Sequence, residues 1–174
     1  MISVVVNDAS CLIDLHKGRL LDVMLTLPYR FVVPLPIRHA EALDFTKQDW
    51  QRLEHRGLVP FDLPPERVAE AARIKARHPK LSANDCFCLV STRCHDRGIL
   101  LTGDRLLRRV ATQEGLRVHG VLWIVDELRK VGTCNEGMLA VALELWRDDR
   151  TVFLPRREID SRLRGLGRPD HRRR

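Results

Sequence analysis

The sequence predicts an α/β domain with a mostly parallel central sheet flanked by helices, a three-layer sandwich. Five short apolar runs have the length of buried strands, and segments with helical periodicity separate them. Strands that alternate with helices in this way form parallel sheets covered on both faces. The chain has 174 residues, of which 44% are hydrophobic and 30% charged, enough for one domain with its own core.

The strands are expected in the order in which the apolar runs occur. The predicted ranges are 2–6, 30–33, 58–61, 99–102 and 116–119. Helical patterns fill the intervals at 36–45, 46–57, 64–79, 82–98 and 103–115, and three more helices are expected at 121–131, 135–146 and 155–163. The stretch "TVFLP", residues 151–155, is either an edge strand or an extended linker.

Local signals fix where several of these helices begin and end. Pro65 occupies a first-turn position, where its missing N–H costs nothing, and Pro79 closes the same helix. Ser82 is a natural N-cap. Gly57 and Gly115 are typical residues for a helix to end on.

Positive charge is concentrated at the carboxyl end. The formal net charge is +7, and residues 162–174 hold six arginines and one aspartate, a net of +5, which leaves +2 for residues 1–161. We therefore expect a single domain over residues 1–161 and a basic, flexible tail over 162–174. Because the body is nearly balanced, charge alone is weak support for nucleic-acid binding.

The cysteines and the apolar segments indicate a cytoplasmic protein. The five cysteines are odd in number and lie mostly within apolar patterns, as reduced thiols do. Cys86, Cys88 and Cys94 with His95 contain no C-x-x-C pair, which disfavours a zinc site. No signal peptide and no run of about 20 apolar residues is present, so we expect no membrane association.

Four acidic residues follow strands or begin helices, and together they suggest a metal site. Asp8 and Asp104 come after predicted strands, Glu41 lies in the helix after the second strand, and Asp85 is in a first helical turn. Taken singly, each could be a helix cap or a surface residue. Together at one sheet edge the carboxylates would repel, unless a hard cation such as Mg²⁺ or Mn²⁺ offset their charge.

Four segments resemble the motifs of the PIN-domain nucleases, in that family's order, over roughly residues 2–120. They are "VNDASCLIDL", "FVVPLPIRHAEAL", "LSANDCFCLVSTRCHDRG" and "ILLTGDRLL". The resemblance implies that Asp8, Glu41, Asp85 and Asp104 are the catalytic and metal-binding acids. It also implies that Ser10 and Thr102 support them.

The chain departs from the family after the Thr-x-Asp motif. Many relatives carry a further acid there, but this chain has Leu106, Leu107, Arg108 and Arg109, which leaves one or two metal ions open. Arg105, Arg108 and Arg109 are expected either to bind flanking phosphates or to form the solvent face of a helix.

By this resemblance the chain is a metal-dependent ribonuclease that hydrolyses RNA phosphodiesters. As a small single domain it is most similar to the toxin halves of VapBC-type toxin–antitoxin pairs, which implies a cognate antitoxin and a homodimer as partners. The alternative is an inactive PIN-like module that binds RNA or protein. Three other classes of α/β protein are disfavoured. Haloacid-dehalogenase-like phosphatases would have an aspartate at position 10, where this chain has Ser10, and response-regulator receivers would have a lysine after a late strand, which "ILLTGDR" lacks. A nucleotide-binding fold has no support either, because the sequence contains no phosphate-binding glycine loop.

Overall fold

A computed structural model describes residues 2–40 and 45–167 of the chain. In these ranges the strands are β1 Val4–Asn7, β2 Arg30–Pro34, β3 Val59–Phe61, β4 Gly98–Leu101 and β5 Arg117–His119. The helices are α1 Ala9–Lys17, α2 Leu21–Met24, α3 Leu35–Ala40, α4 Lys47–His55, α5 Pro65–Arg77, α6 Ala83–Arg93, α7 Arg105–Gln113, α8 Val121–Val131, α9 Glu136–Asp148 and α10 Arg156–Gly165.

The five strands form one sheet, in the order β3-β2-β1-β4-β5, and every pair is parallel. Strand β1 lies in the middle, with Val5 opposite Phe31 of β2 on one side and Ile99 of β4 on the other. Along the chain, β2 and β3 are added on one side of β1, and β4 and β5 are then added on its other side. The predicted α/β class is confirmed, and the strand order reverses between β1 and β4.

Hydrogen bonds at helix termini explain why several helices begin where they do. Thr46 and Asp49 form a reciprocal capping box at α4, and Ser82 and Asp85 form another at α6. Asn135 caps α9 by accepting a bond from the backbone N–H of Met138, at 2.8 Å. Capping residues of this kind are a signal in the sequence itself, and the predicted starts of these helices therefore lie close to the observed ones.

The structure differs from the sequence predictions where tertiary contacts dominate. The four-residue helix α2 was not predicted. Of the two alternatives for residues 151–155, the linker is confirmed, because these residues form no strand between α9 and α10. The predicted flexible tail does not begin at residue 162, because α10 continues to Gly165. Leu163 and Leu166 are buried, and Arg162 donates to Asp126 Oδ1 at 2.8 Å and Oδ2 at 2.7 Å, which holds this part of the chain to α8.

Helix α9 packs against α1 through one tryptophan. Trp146 is 1% exposed, and its indole Nε1 donates a hydrogen bond to the backbone oxygen of Asp14 at 2.6 Å. Gly18, just after α1, gives the ring its space, since a Cβ there would lie 2.6–2.7 Å from three indole atoms. Within the described ranges, no helix is both long and apolar enough to cross a bilayer.

We expect Gly18→Ala to lower the free energy of unfolding by about 1–3 kcal/mol, the usual cost of forcing extra volume into a packed core. The backbone at Gly18 is right-handed helical, so the cost comes from the clash with Trp146 and not from the backbone. Chemical denaturation measures it. In a Trp146→Leu background the same substitution should cost clearly less, and an equal cost in both backgrounds would contradict the contact.

Candidate functional site

Asp8 lies where the strand order reverses, directly after the central strand β1. Its backbone N–H donates to the carbonyl of Leu101, the last residue of β4, at 3.0 Å. The residue is 5% exposed and stands at the N-cap position of α1, yet its side chain makes no capping hydrogen bond. In open parallel sheets, ligands bind in the crevice at this topological position. The carboxylate is therefore available for a role other than capping.

Two hydroxyl groups hold the Asp8 carboxylate by the same oxygen. Ser10 Oγ donates to Asp8 Oδ2 at 2.7 Å, and Thr102 Oγ1 donates to it at 2.8 Å. Each hydroxyl in turn accepts a backbone N–H, Ser10 from Gly103 and Thr102 from Asp104, both at 3.0 Å. Because the hydroxyls accept from N–H groups, their own protons point to Asp8. Neither hydroxyl engages Oδ1.

The environment of Asp8 favours its neutral form. Burial raises the pKa of the carboxyl above its ordinary value, and the negative charge of Asp85 raises it further. The hydrogen bonds from Ser10, Thr102 and the Ala9 amide act in the opposite direction. The net increase in pKa therefore comes mainly from burial, with a smaller contribution from Asp85, and a cation bound at the carboxylate would favour its ionised form.

Asp104 and Asp85 begin helices at the same edge. Asp104 is the N-cap of α7, and its Oδ1 accepts from the Leu107 N–H at 2.7 Å. Asp85 Oδ2 accepts from the Ser82 N–H at 2.6 Å in the capping box of α6. Both acids therefore do have the capping roles that the sequence allowed. Asp85 is also near enough to Asp8 for its charge to affect the Asp8 pKa.

The donor chemistry of the site fits a hard divalent cation. The acids supply carboxylate oxygen, the ligand type that magnesium and manganese prefer. The fourth predicted acid, Glu41, lies outside the described residues. Among residues 2–40 and 45–167, no three His, Cys, Asp or Glu side chains are grouped closely enough to hold a metal ion.

The three predicted phosphate-binding arginines do not share one environment. Arg105 and Arg108 line a cleft beside the acids, and Arg108 donates to the Thr102 carbonyl at 2.9 Å. Arg109, on the same helix, is exposed and does not line that cleft.

Asp14 is a site residue that the sequence analysis missed. It lies one helical turn after Ser10 and lines the same cleft as Thr102 and Gly103. Burial raises the pKa of Asp14 to about 6, with Asp149 raising it and Lys17 lowering it. The four-residue spacing from Ser10 was the available signal, because such residues share a helix face.

Asn7 is the other missed polar residue. It is fully buried beside Asp8, and its Nδ2 donates to the carbonyl of Val32 at 2.9 Å, which ties β1 to β2. Its position inside an apolar strand gave no indication of that contact.

A family model described as a PIN domain matches residues 4–168. The match covers nearly the whole chain, so the protein belongs to the PIN-domain family. PIN domains are generally nucleases, and the fold is thus of the nuclease type. Asp8 directly follows the central strand β1, and it is the aspartate of "VNDASCLIDL", the first of the four segments that resemble the family's motifs. A comparison with curated proteins found no match to this chain.

We expect Thr102→Val to destabilise the protein by about 1–3 kcal/mol at pH 7, since the buried Asp8 carboxylate and the Asp104 N–H each lose a partner. Thr102→Ser keeps the hydroxyl and is the matched control. The bond to an ionised carboxylate is the stronger one, so the difference between the two variants should shrink as the pH falls towards 4. Urea denaturation across that pH range tests this, and a difference that grows at low pH would contradict the role of the hydroxyl.

We expect Asp14 to lower the free energy of unfolding as the pH rises from about 4 to 7. Its folded-state pKa of about 6 exceeds the ordinary aspartate pKa of 3.8, so between these values the folded state binds more protons than the unfolded state. Asp14→Asn removes this effect, and its stability relative to wild type should increase from pH 4 to 7. Asp62→Asn, at an exposed carboxyl, is the control. An Asp14→Asn profile parallel to wild type would disprove the assignment.

Proposed function

We propose that this PIN domain is a divalent-metal-dependent endoribonuclease that hydrolyses RNA phosphodiesters. The observation that carries the proposal is the buried Asp8 carboxylate at the strand reversal, held through Oδ2 by Ser10 and Thr102 and close to the charge of Asp85. A buried carboxylate with a raised pKa in a crevice is typical of functional sites.

Asp8, Asp85, Asp104 and Glu41 are the proposed ligands of Mg²⁺ or Mn²⁺. The bound ion supplies a Lewis acid that offsets charge on the phosphodiester and makes water a stronger nucleophile near neutral pH. The chain's own contribution is orientation. Ser10 and Thr102 fix the plane and rotamer of the Asp8 carboxylate, and the turn at residues 102–104 fixes where α7 begins.

We expect Asp8→Asn and Asp104→Asn each to lower metal-dependent cleavage of single-stranded RNA by about 100-fold or more while the fold remains intact. Asparagine preserves shape and can still accept the hydrogen bonds. Asp96→Asn is the matched control, because this exposed acid precedes β4 and lies at the opposite edge of the sheet. Full activity in either site variant would contradict the assignment.

The second candidate is an inactive PIN-like module that binds RNA or protein. It is favoured by the absence of a closely grouped set of three ligands among the described residues. Melting experiments separate the two candidates. A nuclease should be stabilised by Mg²⁺ or Mn²⁺, by about 2.7 kcal/mol at a metal concentration 100 times the Kd, and Asp8→Asn should lose this response. A melting temperature indifferent to both ions, with no cleavage, would favour the module.

Within the nuclease proposal, we place the chain as the toxin of a toxin–antitoxin pair. This step rests on the family alone. Expression of the wild type should arrest growth, Asp8→Asn should not, and co-expression of the cognate antitoxin should restore growth. Unimpaired growth with a wild-type protein that is active in vitro would exclude the toxin role and leave the nuclease.

A further inference from the structure

A cleft with a volume of about 470 Å³ opens beside the acidic site, between α7, the start of α8 and the segment before α10. A smaller hollow of about 290 Å³ adjoins it and reaches Ser10 and Asp104. Asp14, Gly103 and Phe153 line both hollows. Together they form one trough, which runs from the acids to a surface that the proposed chemistry does not use.

Phe153 presents its ring to this trough from a fixed backbone. The residue is 87% exposed, whereas its neighbour Val152 is buried and Leu154 packs against the core. Thr151 is anchored as well, since its N–H and hydroxyl donate to Asp149 Oδ1 at 2.7 and 2.6 Å. A single exposed apolar residue is ordinary. This one, however, lines both parts of a trough that leads to Asp104.

A second flat surface lies in the same cleft. The rings of His119 and Trp123 are stacked, with centroids 4.5 Å apart and planes 14° from parallel. Burial lowers the pKa of His119, and the positive charges of Arg108 and Arg117 lower it further. The imidazole is therefore neutral near pH 7 and extends the aromatic surface of the indole. The cleft thus holds three of the chain's flat rings beside the acidic site.

The cleft also contains cations that are not neutralised by neighbouring acids. Arg162 is engaged by Asp126 and Glu158 at one end. Arg105 and Arg108, by contrast, form no ion pair with any carboxylate in the described part of the chain, and Arg108 donates only to a neutral carbonyl. These two guanidinium groups lie on α7, the helix that Asp104 caps.

We infer that this cleft is a subsite for a nucleotide adjacent to the cleaved phosphate of single-stranded RNA, with its base stacked on Phe153, which lines both hollows, and its phosphate bound by Arg105. The inference rests on the proposed ribonuclease function. A volume of about 470 Å³ suits a nucleotide-sized ligand. Aromatic rings beside unpaired arginines form the combination that binds single strands, and stacking of this kind tolerates any base.

The test is the affinity for fluorescein-labelled decauridine, measured by fluorescence anisotropy in EDTA so that the strand stays intact. Phe153→Ala should weaken binding about 5- to 150-fold, the range that corresponds to the loss of one base–aromatic stack. Phe153→Trp should retain binding, and Phe153→Leu should lose nearly as much as alanine because it keeps bulk but no ring. The high exposure of Phe153 makes unfolding of these variants unexpected.

Arg105→Gln and Arg109→Gln are a matched pair on one helix. Only the first should lower the slope of log affinity against log salt, by about 0.7 for one phosphate contact. Arg109 is outside the cleft, so Arg109→Gln should bind RNA with nearly the wild-type slope. Equal slopes for the two variants would overturn the phosphate role of Arg105.

Other outcomes would overturn the subsite itself. Wild-type affinity in Phe153→Ala would show that Phe153 does not contribute to RNA binding. Wild-type affinity in Phe153→Leu would show that apolar bulk, and not a stacked ring, contributes the affinity. A wild type that does not bind decauridine also refutes the inference. Failure of the proposed function would be a separate result. If RNA binding depends on Phe153 but neither Mg²⁺ nor Mn²⁺ supports cleavage, the RNA-binding subsite is supported and the proposed ribonuclease activity is wrong.

Discussion

The structure depends on how one carboxylate is buried at the centre of the sheet. Removing an ionised group from water is costly unless it is paired or hydrogen-bonded, and Asp8 is 5% exposed. The two hydroxyl bonds to Oδ2 offset part of that cost. They can form only if Ser10 lies in the first turn of α1 and Thr102 lies at the end of β4. The burial of Asp8 therefore requires β1 and β4 to be adjacent.

The same two hydroxyls connect this requirement to α7. Since Ser10 and Thr102 accept the N–H groups of Gly103 and Asp104, the turn after β4 is bound to the helix after β1. Asp104 then caps α7 and Arg108, one turn later, donates back to the Thr102 carbonyl. A change at either hydroxyl would alter the position of the turn, of Asp104 and of the arginine beside the cleft together.

Sequence reasoning succeeded where a local pattern decides the structure. All five strands were expected near their observed positions, because short apolar runs separated by helical segments leave few other arrangements. The rule that parallel strands end at one edge correctly placed Asp8 and Asp104 after two neighbouring strands, β1 and β4. Contacts between distant segments left no such pattern. The stacking of His119 on Trp123, the exposure of Phe153 and the burial of Leu163 depend on packing that neighbouring residues do not determine.

The capping and the functional interpretations of the acids turn out to be compatible. Helices α1, α6 and α7 begin at or just before Asp8, Asp85 and Asp104, so their positive dipole ends meet the carboxylates. Each such contact stabilises a negative charge by roughly 0.3–1 kcal/mol at a surface position. A carboxylate also has about four lone-pair sites, and a capping bond uses one. Capping therefore leaves lone pairs free on each acid, so the same residues can both start the helices and serve as the proposed metal ligands.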